Sequence, residues 1–474
     1  MLFETTIMKC LEERRMQRKT VFLMYALILL LSFVGISFQF IKPVRAATTW
    51  SVDDDGPADF SSIQEAINAA SSGDTIYVKA GTYCENVVVN TTVSLIGEDR
   101  SNTVIDGNGA ETGILVTAGY VTVEDFGVRN CEIGIKVESN DNIISSNRVF
   151  SNGYNESELL IDQEVYQDYV SPLTRWFLHN LIDGSYTYFI SMPELTPAVF
   201  VYAFGDEDVN QLGIGLFYDE NGDHTPQLLE FVGFLSGREQ SVGTFVVDPP
   251  PGQYIIKVWG MEVLGDPGHF DLEIVRYTGY GIEFLSCRNN TVSDNLVTSN
   301  PVGLYFHDSY EITVHQNYVT DSIGAIAVRD STELVITDNN VSMNKFGSGD
   351  FLQGIGVSLR SVRNSDMSQN NVSSNTFGIW LWNSSSNELI NNTMLSNAGW
   401  GIGLYASYEN TVRYNNLSLT IGLDGIRMMF ACRNISTKTT SITTAMRGSS
   451  FGWTTITTVL LETSFIQTDN MELS

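Results

Sequence analysis

Residues 281–340 read GIEFLSCRNN TVSDNLVTSN PVGLYFHDSY EITVHQNYVT DSIGAIAVRD STELVITDNN, one pattern written again and again. A short apolar motif marks its beats: GIKV at Gly134, GIEF at Gly281, GLYF at Gly303, AIAV at Ala325, GIGV at Gly354, GIWL at Gly378, GIGL at Gly401 and GIRM at Gly425. From Gly281 the steps are 22, 22, 29, 24, 23 and 24 residues, the long one carrying an extra loop from Gly347 to Asp350. An asparagine follows each start at near-constant distance: Asn147, Asn295, Asn317, Asn339, Asn370, Asn391 and Asn415. Repetition at this period is the signature of a solenoid.

Between the glycines and asparagines, apolar and polar residues alternate, as in NNTVSDNLV and ELVITDNNV. Period-two alternation in short runs builds strands rather than helices. A rung of this length holds three short strands and three turns. Stacked rungs pair each strand with its copies, and asparagines at a turn can hydrogen-bond along a column. These asparagines are therefore read as structural. The chain is expected to be all-β, a parallel β-helix with three strands per rung.

The N-terminal end agrees. Ser61-Ser62-Ile63-Gln64-Glu65 carries overlapping capping boxes, with Ile63, Ala66, Ile67 and Ala70 on one helical face. Gly73 is expected to stop this helix, and TIYV and ENVVV to follow as strands. An amphipathic helix here would cap the open end of the solenoid, shielding its apolar cross-section and strand edges.

The stretch FSSIQEAINAASSGDTIYVKAGTYCENVVV, together with the recurring NNTVSDN…GLYF pattern, resembles the NosD-like, pectin-lyase-like right-handed parallel β-helix proteins. Their repeats are of the type associated with carbohydrate-binding proteins and sugar hydrolases. The resemblance covers residues 47–153 and 280–435 and implies the fold more tightly than the function, since this fold hosts binders, lyases, hydrolases and epimerases. The copper delivery suggested by the NosD name finds little support in five dispersed histidines with no Met/His cluster.

An insertion interrupts the repeat. Gly134 and Gly281 are far more than one rung apart, yet excising residues 154–279 joins Gly153 to Tyr280 and restores a step of 21. The excised segment reads as strands (YTYFISM, AVFVYAF, LGIGLFYD, LLEFVGF, GTFVV, QYIIKVWGMEV, FDLEIVRY) separated by turns such as Pro249 to Gln253. That many strands at that spacing implies an antiparallel β-sandwich. It resembles the jelly-roll accessory domains of secreted peptidases and carbohydrate-active enzymes, chiefly through PPPGQYIIKVWG. Within it Asp219, Asn221 and Asp223 form a D-x-N-x-D loop with Glu230 at the twelfth position, a spacing suited to Ca²⁺. His224 stands where an EF-hand needs glycine, so the loop is read either as a calcium site or as an Asx-rich turn.

The full chain of 474 residues carries a formal charge of −29. An electrostatic nucleic-acid binder is excluded by that charge; an exported protein kept soluble by it is not. Cys10, Cys84, Cys131, Cys287 and Cys432 include no CxxC pair and so no metal-finger or redox signature. Val21 to Ile41 lacks charge, follows Arg18-Lys19, and precedes a small-x-small cleavage site ending at Ala46. Residues 1–46 therefore read as a signal peptide, with an uncleaved membrane anchor as the alternative. A start at Met16 would give a compact MQRKT n-region. Export is expected to leave the protein extracellular or on the cell surface, where sequons at Asn90, Asn155, Asn289, Asn340, Asn371, Asn383, Asn391, Asn416 and Asn434 could be glycosylated.

After Ser436 the repeat vanishes into a Thr-rich tail, 436–474. Adjacent Asn codons read one base later give Thr-Thr, and back-translating STKTTSITTAMRGSSFGWTTITT in the neighbouring frame can yield GIFL where the next rung is due. The tail is thus either frameshifted or a glycosylated Thr-rich stalk.

Strand alternation assigns the faces. In each GIxLx motif the second and fourth residues point inward, so the third and fifth point out. The third column is Lys136, Glu283, Tyr305, Ala327, Gly356, Trp380, Gly403, Arg427; the fifth is Glu138, Leu285, His307, Arg329, Ser358, Trp382, Tyr405. With rungs about 4.8 Å apart, Tyr305 and Trp380 would stand about 14 Å apart across a depression. A glycan is expected to stack there against Tyr305, Trp380, Trp382 and Tyr405 beside His307, Arg329 and Asp330. The opposing readings are a decorated sheet face or one covered by the inserted domain. For lyase, epimerase or hydrolase chemistry, Tyr305, His307, Arg329 and Asp308 are the local candidates. The sequence supports a non-catalytic binder of glycan or another envelope partner, against an enzyme acting in the groove and against a structural spacer.

Overall fold

The computed structural model describes residues 14–28, 46–165, 185–192, 198–205, 209–218, 231–236, 241–247, 252–263, 268–344, 354–421, 425–429, 433–437, 440–444 and 465–466. Residues 14–28 form a helix whose side chains, Phe22 and Leu23 among them, are exposed. No helix among the described residues is long and apolar enough to cross a membrane. Most of the uncharged leader run lies outside the described residues, as do Asp219, Asn221, Asp223 and Glu230 and most of the Thr-rich tail.

From Thr49 onward the chain winds as a right-handed parallel β-helix of about 12 turns. One rung is Thr291–Ser293, Leu296–Thr298 and Val302–His307, each paired in parallel with the rungs on either side. Val292, Val297, Leu304 and Phe306 point into the core, and their equivalents repeat along the molecule. Each corner is turned by a residue with left-handed backbone, here Asn289, Asp294 and Ser299 at φ 51, 56 and 58°. Asn, Asp and Ser tolerate that conformation, which accounts for the recurrent NN, DN and SN pairs.

The second residue of each pair builds the ladders. The Asn147 amide donates to Asn295 Oδ1 at 2.9 Å, and the chain continues through Asn317, Asn339 and Asn370 to Asn392 and Asn415, all at 2.8–3.1 Å. The residue in this column is Asn392; Asn391 is the exposed corner residue before it, at φ 57°. A second ladder runs Asn344, Asn375, Asn397 and a third Ser365, Asn387, Asn410, Asn434. Asn434 is 1 % exposed and its amide is fixed in the ladder, which removes it from the sequons open to glycosylation.

The glycine column has a steric cause. A Cβ on Gly281, Gly303 or Gly356 would press on the carbonyl of the equivalent residue one rung on, at 2.6, 2.7 and 2.8 Å, and on a core valine. Gly356, not Gly354, therefore occupies the column, and Ser358 and Arg360 pair with Trp380 and Trp382. The outward columns are corrected accordingly: Ser358 replaces Gly356 in the third and Arg360 replaces Ser358 in the fifth. The step across the long loop becomes 31, as the Asn339–Asn370 bond requires.

The helix Ile63–Ala69 packs Ile63, Ala66 and Ile67 onto the same core, with Ser62 at its N-cap. Glu85 from a neighbouring turn accepts from the Ile63 and Gln64 amides at 2.8 and 3.1 Å, adding a charge that suits a helix N-terminus. Its C-cap is Ala70; Gly73 turns the chain beyond it at φ 90°.

Between Tyr154 and Thr278 the described strands form two four-stranded antiparallel sheets. Their inward residues, including Val199, Val201, Ile214, Leu216, Ile256 and Leu272, make a separate hydrophobic cluster. Tyr154 pairs with Thr278 where the segment leaves and rejoins the solenoid. Gly153 and Gly279 flank it at φ 78 and 89°, so close that a Cβ on Gly279 would lie 2.7 Å from the Gly153 Cα. Ladder partners across the segment are 148 residues apart, and removing 154–279 returns that to the 22 of neighbouring rungs. Parallel pairing runs past residue 435, through Ile435–Thr437 and Thr440–Thr444.

Candidate functional site

The outward columns lie on the sheet that includes Gly127–Val137, Tyr280–Leu285, Val302–His307, Gly324–Arg329, Ile355–Arg360, Phe377–Trp382 and Ile402–Tyr405. Over part of this face the antiparallel strands Ala198–Gly205 and Gly268–Thr278 bring Tyr202, Val275 and Tyr277 into one buried cluster with Tyr280, Val302, Tyr305, Ile323 and Ala327. Tyr305 is 0 % exposed, its ring stacked on Tyr280 at 4.4 Å. The open groove expected from Tyr305 to Trp380 is thus overturned at its Tyr305 end, because the inserted segment covers it. Tyr405 is buried as well, and burial pushes its phenol up to about 12.

The polar candidates line the same face. Arg329 is buried, with Nε 3.3 Å from Asp330 Oδ2; the same oxygen is 3.7 Å from His307 Nε2. Asp308 is exposed and accepts from the Ser286 hydroxyl at 3.1 Å. Tyr305, His307, Arg329 and Asp308 therefore do not converge on one open cleft. Trp382 packs against the hydrophobic cluster of the inserted strands along with Leu160 and Tyr188, its ring 4.9 Å from that of Tyr405.

Beyond the covered stretch stands an aromatic group that sequence reasoning assembled only in part. Phe377, Trp380 and Trp400 meet pairwise at 5.1–5.8 Å, half-buried, and the Arg427 guanidinium lies 4.7 Å over Trp400. Arg360, 6 % exposed, lies 4.9 Å over Trp382. The indole Nε1 atoms of Trp380 and Trp400 and the Arg360 Nε and Nη1 are buried without a hydrogen-bond acceptor. Each such orphaned donor costs about 1–3 kcal/mol, more when charged. Arg360 escaped the sequence because Gly354 and Gly356 offer two registers for the same motif. Trp400 escaped because it precedes its motif instead of lying within it.

At the other end of the face the unmet groups are acceptors. Glu283 is buried, neither carboxylate oxygen has a hydrogen-bond partner, and Lys136 Nζ stays 3.7 Å away while pairing Glu138 at 2.8 Å. Burial pushes the Glu283 carboxyl up to about 7, against the opposing pull of Lys136.

Among the described residues the potential metal ligands that group together are Asp53, Asp54 and Asp55. Asp53 already holds Lys79 Nζ at 3.0 Å and the Gly56 amide at 3.1 Å, and the Lys79 bond lowers its carboxyl below the usual range. These hard oxygens, with no imidazole or thiolate beside them, do not suit copper.

A right-handed parallel β-helix bearing an antiparallel insertion is the class this chain's geometry defines. The profile of the family described as "Periplasmic copper-binding protein (NosD)" matches residues 246–349 and 272–421. No curated protein matches the sequence. Solved structures that align with it include the Dettilon tailspike protein, at 10% identity over 81% of this chain and 58% of that one, TM-score 0.46. The A-module of the Azotobacter vinelandii mannuronan C-5 epimerase aligns at 13% identity over 79% and 73%, TM-score 0.32. Pectin methylesterase from carrot aligns at 12% over 78% and 85%, TM-score 0.32. The chain thus spans less than two thirds of the tailspike's length.

Proposed function

We propose that this is an exported, non-catalytic protein of the cell exterior or envelope that binds glycan at the aromatic group of Phe377, Trp380 and Trp400. The observation carrying this reading is the pairing of half-buried rings with indole N–H groups that lack acceptors. A sugar ring offers an apolar face for stacking and hydroxyl oxygens for such donors, and bridging water could serve the same donors. In this reading Trp380 is joined by Trp400, while Trp382 lies against the inserted segment. Tyr305 becomes a support under the inserted segment and Tyr405 a buried neighbour of Trp382. An enzyme would need the acid–base candidates around His307 to reach a substrate together, and sealing Tyr305 removes one of them.

The test is a glycan screen of the protein beside a Trp380→Ala/Trp400→Ala variant. Binding by the parent that drops about tenfold or more in the variant, as the loss of two stacking aromatics would cause, supports the site. Turnover of a bound polymer, seen as new reducing or unsaturated ends, would refute the non-catalytic reading. Absence of binding would leave the spacer.

A further inference from the structure

We propose that the glycan is acidic and that Arg360 reads its charge, an inference that rests on the glycan reading above. Among the described residues, Arg360 Nε and Nη1 and, on the neighbouring strands of the same face, the indole nitrogens of Trp380 and Trp400 are buried donors without an acceptor. A shell of donors with no acceptor of its own is complementary to an anionic group and not to a cation. Arg360 itself is 6 % exposed, so its charge has left bulk water without gaining a counter-ion, an arrangement that is unfavourable until an anion arrives.

Two comparisons sharpen this. Arg329, the register partner of Arg360 one rung earlier, has Asp330 Oδ2 at 3.3 Å. The chain has 55 acidic residues, and among the described ones none hydrogen-bonds Arg360 Nε or Nη1. The guanidinium is also held in position: it lies over Trp382, whose other contacts are Tyr405 and the hydrophobic cluster of the inserted strands. Arg427 over Trp400 supplies a second cation at the far side of the aromatic group. Saccharides bearing carboxylate or sulfate groups share the required chemistry. The protein's net charge of −29 repels polyanions at long range, so any preference for one must come from local contacts.

Calorimetric titration of the full chain with polygalacturonate, dextran sulfate and neutral dextran tests the inference. The parent should prefer one of the anionic polymers to dextran by about tenfold or more, the polymer preferred telling carboxylate from sulfate. Arg360→Gln should lose that preference while keeping its affinity for dextran, and Arg360→Lys should keep part of it. The melting temperature of Arg360→Gln should equal or exceed the parent's, because the substitution removes an uncompensated buried charge. Equal affinity for all three polymers in the parent, an unchanged preference in R360Q, or an R360Q that unfolds would each overturn the acidic-ligand inference alone. Absence of binding to any polymer would overturn the glycan reading, and this one with it.

Discussion

Glu283 and Arg360 show what single residues do on a face that is partly covered. Each is a charged side chain taken out of water, one with unmet acceptors and one with unmet donors, on strands of the same sheet separated by two intervening rungs. For Glu283 the consequence is a pH dependence. Its carboxyl rises from 4.5 to about 7 in the folded protein, so between those values the native state keeps a proton that the unfolded chain releases. Stability from this group is therefore full below about pH 4.5 and declines as pH rises toward 7, by on the order of 3 kcal/mol. Lys136, raised further from its already high ordinary value, stays charged across that window. We expect Glu283→Gln to flatten melting temperature against pH over this range and to raise it near pH 8. A parent protein whose melting temperature climbs from pH 5 to 7, with the Glu283→Gln variant following the same curve, would contradict the assignment.

At the scale of one rung, the corner pairs are the organising element. Asn392 accepts from the Asn370 amide and side chain and donates to the Met367 carbonyl at 2.7 Å, whereas its neighbour Asn391 is an exposed corner. Asn392→Ala should destabilise by about 2–3 kcal/mol in urea unfolding, through orphaned buried partners, and Asn391→Ala by no more than about 1 kcal/mol. Equal losses would dissolve the distinction. This pair also explains what the sequence could and could not reveal. Spacing placed asparagines at one corner and excised 154–279, because a step from Gly134 to Gly281 is several times any other step in the repeat. It could not choose between Asn391 and Asn392, or between Gly354 and Gly356, since adjacent copies of one residue type fit the period equally well. The choice is made by the stacking of rungs: Asn392 alone of its pair joins the buried side-chain ladder, and Gly356 alone of its pair faces the Gly378 carbonyl of the glycine column. Arg360 hinges on that choice, because a shift of two residues moves a different side chain into the outward column.

For the solenoid and its insertion together, alternation gave the direction of Tyr305 but could not say what lies against it. The antiparallel sheet holding Ala198–Gly205 and Gly268–Thr278 does, and the face it covers is apolar: Tyr280, Val302, Tyr305, Ile323 and Ala327 are buried with Tyr202, Val275 and Tyr277. Gly153 and Gly279 bring the strand ends close enough to rejoin, and the rungs on either side are already in register. A chain lacking residues 154–279, with Gly153 joined to Tyr280, should therefore still wind as a β-helix, because its ladders and core do not use the removed strands. It should not remain a well-behaved monomer. Buried apolar side chains of the solenoid, these five among them, would face water at once, each Val or Ile losing about 1.5–3 kcal/mol of burial, and a contiguous patch of that kind drives association. We expect the shortened protein to keep a β-sheet circular dichroism spectrum, to bind a hydrophobic dye, and to self-associate in analytical ultracentrifugation. Adding Tyr305→Thr and Val302→Ser in that background should restore the monomer. A shortened protein that is monomeric and dye-negative without those changes would mean the inserted strands do not shield this face.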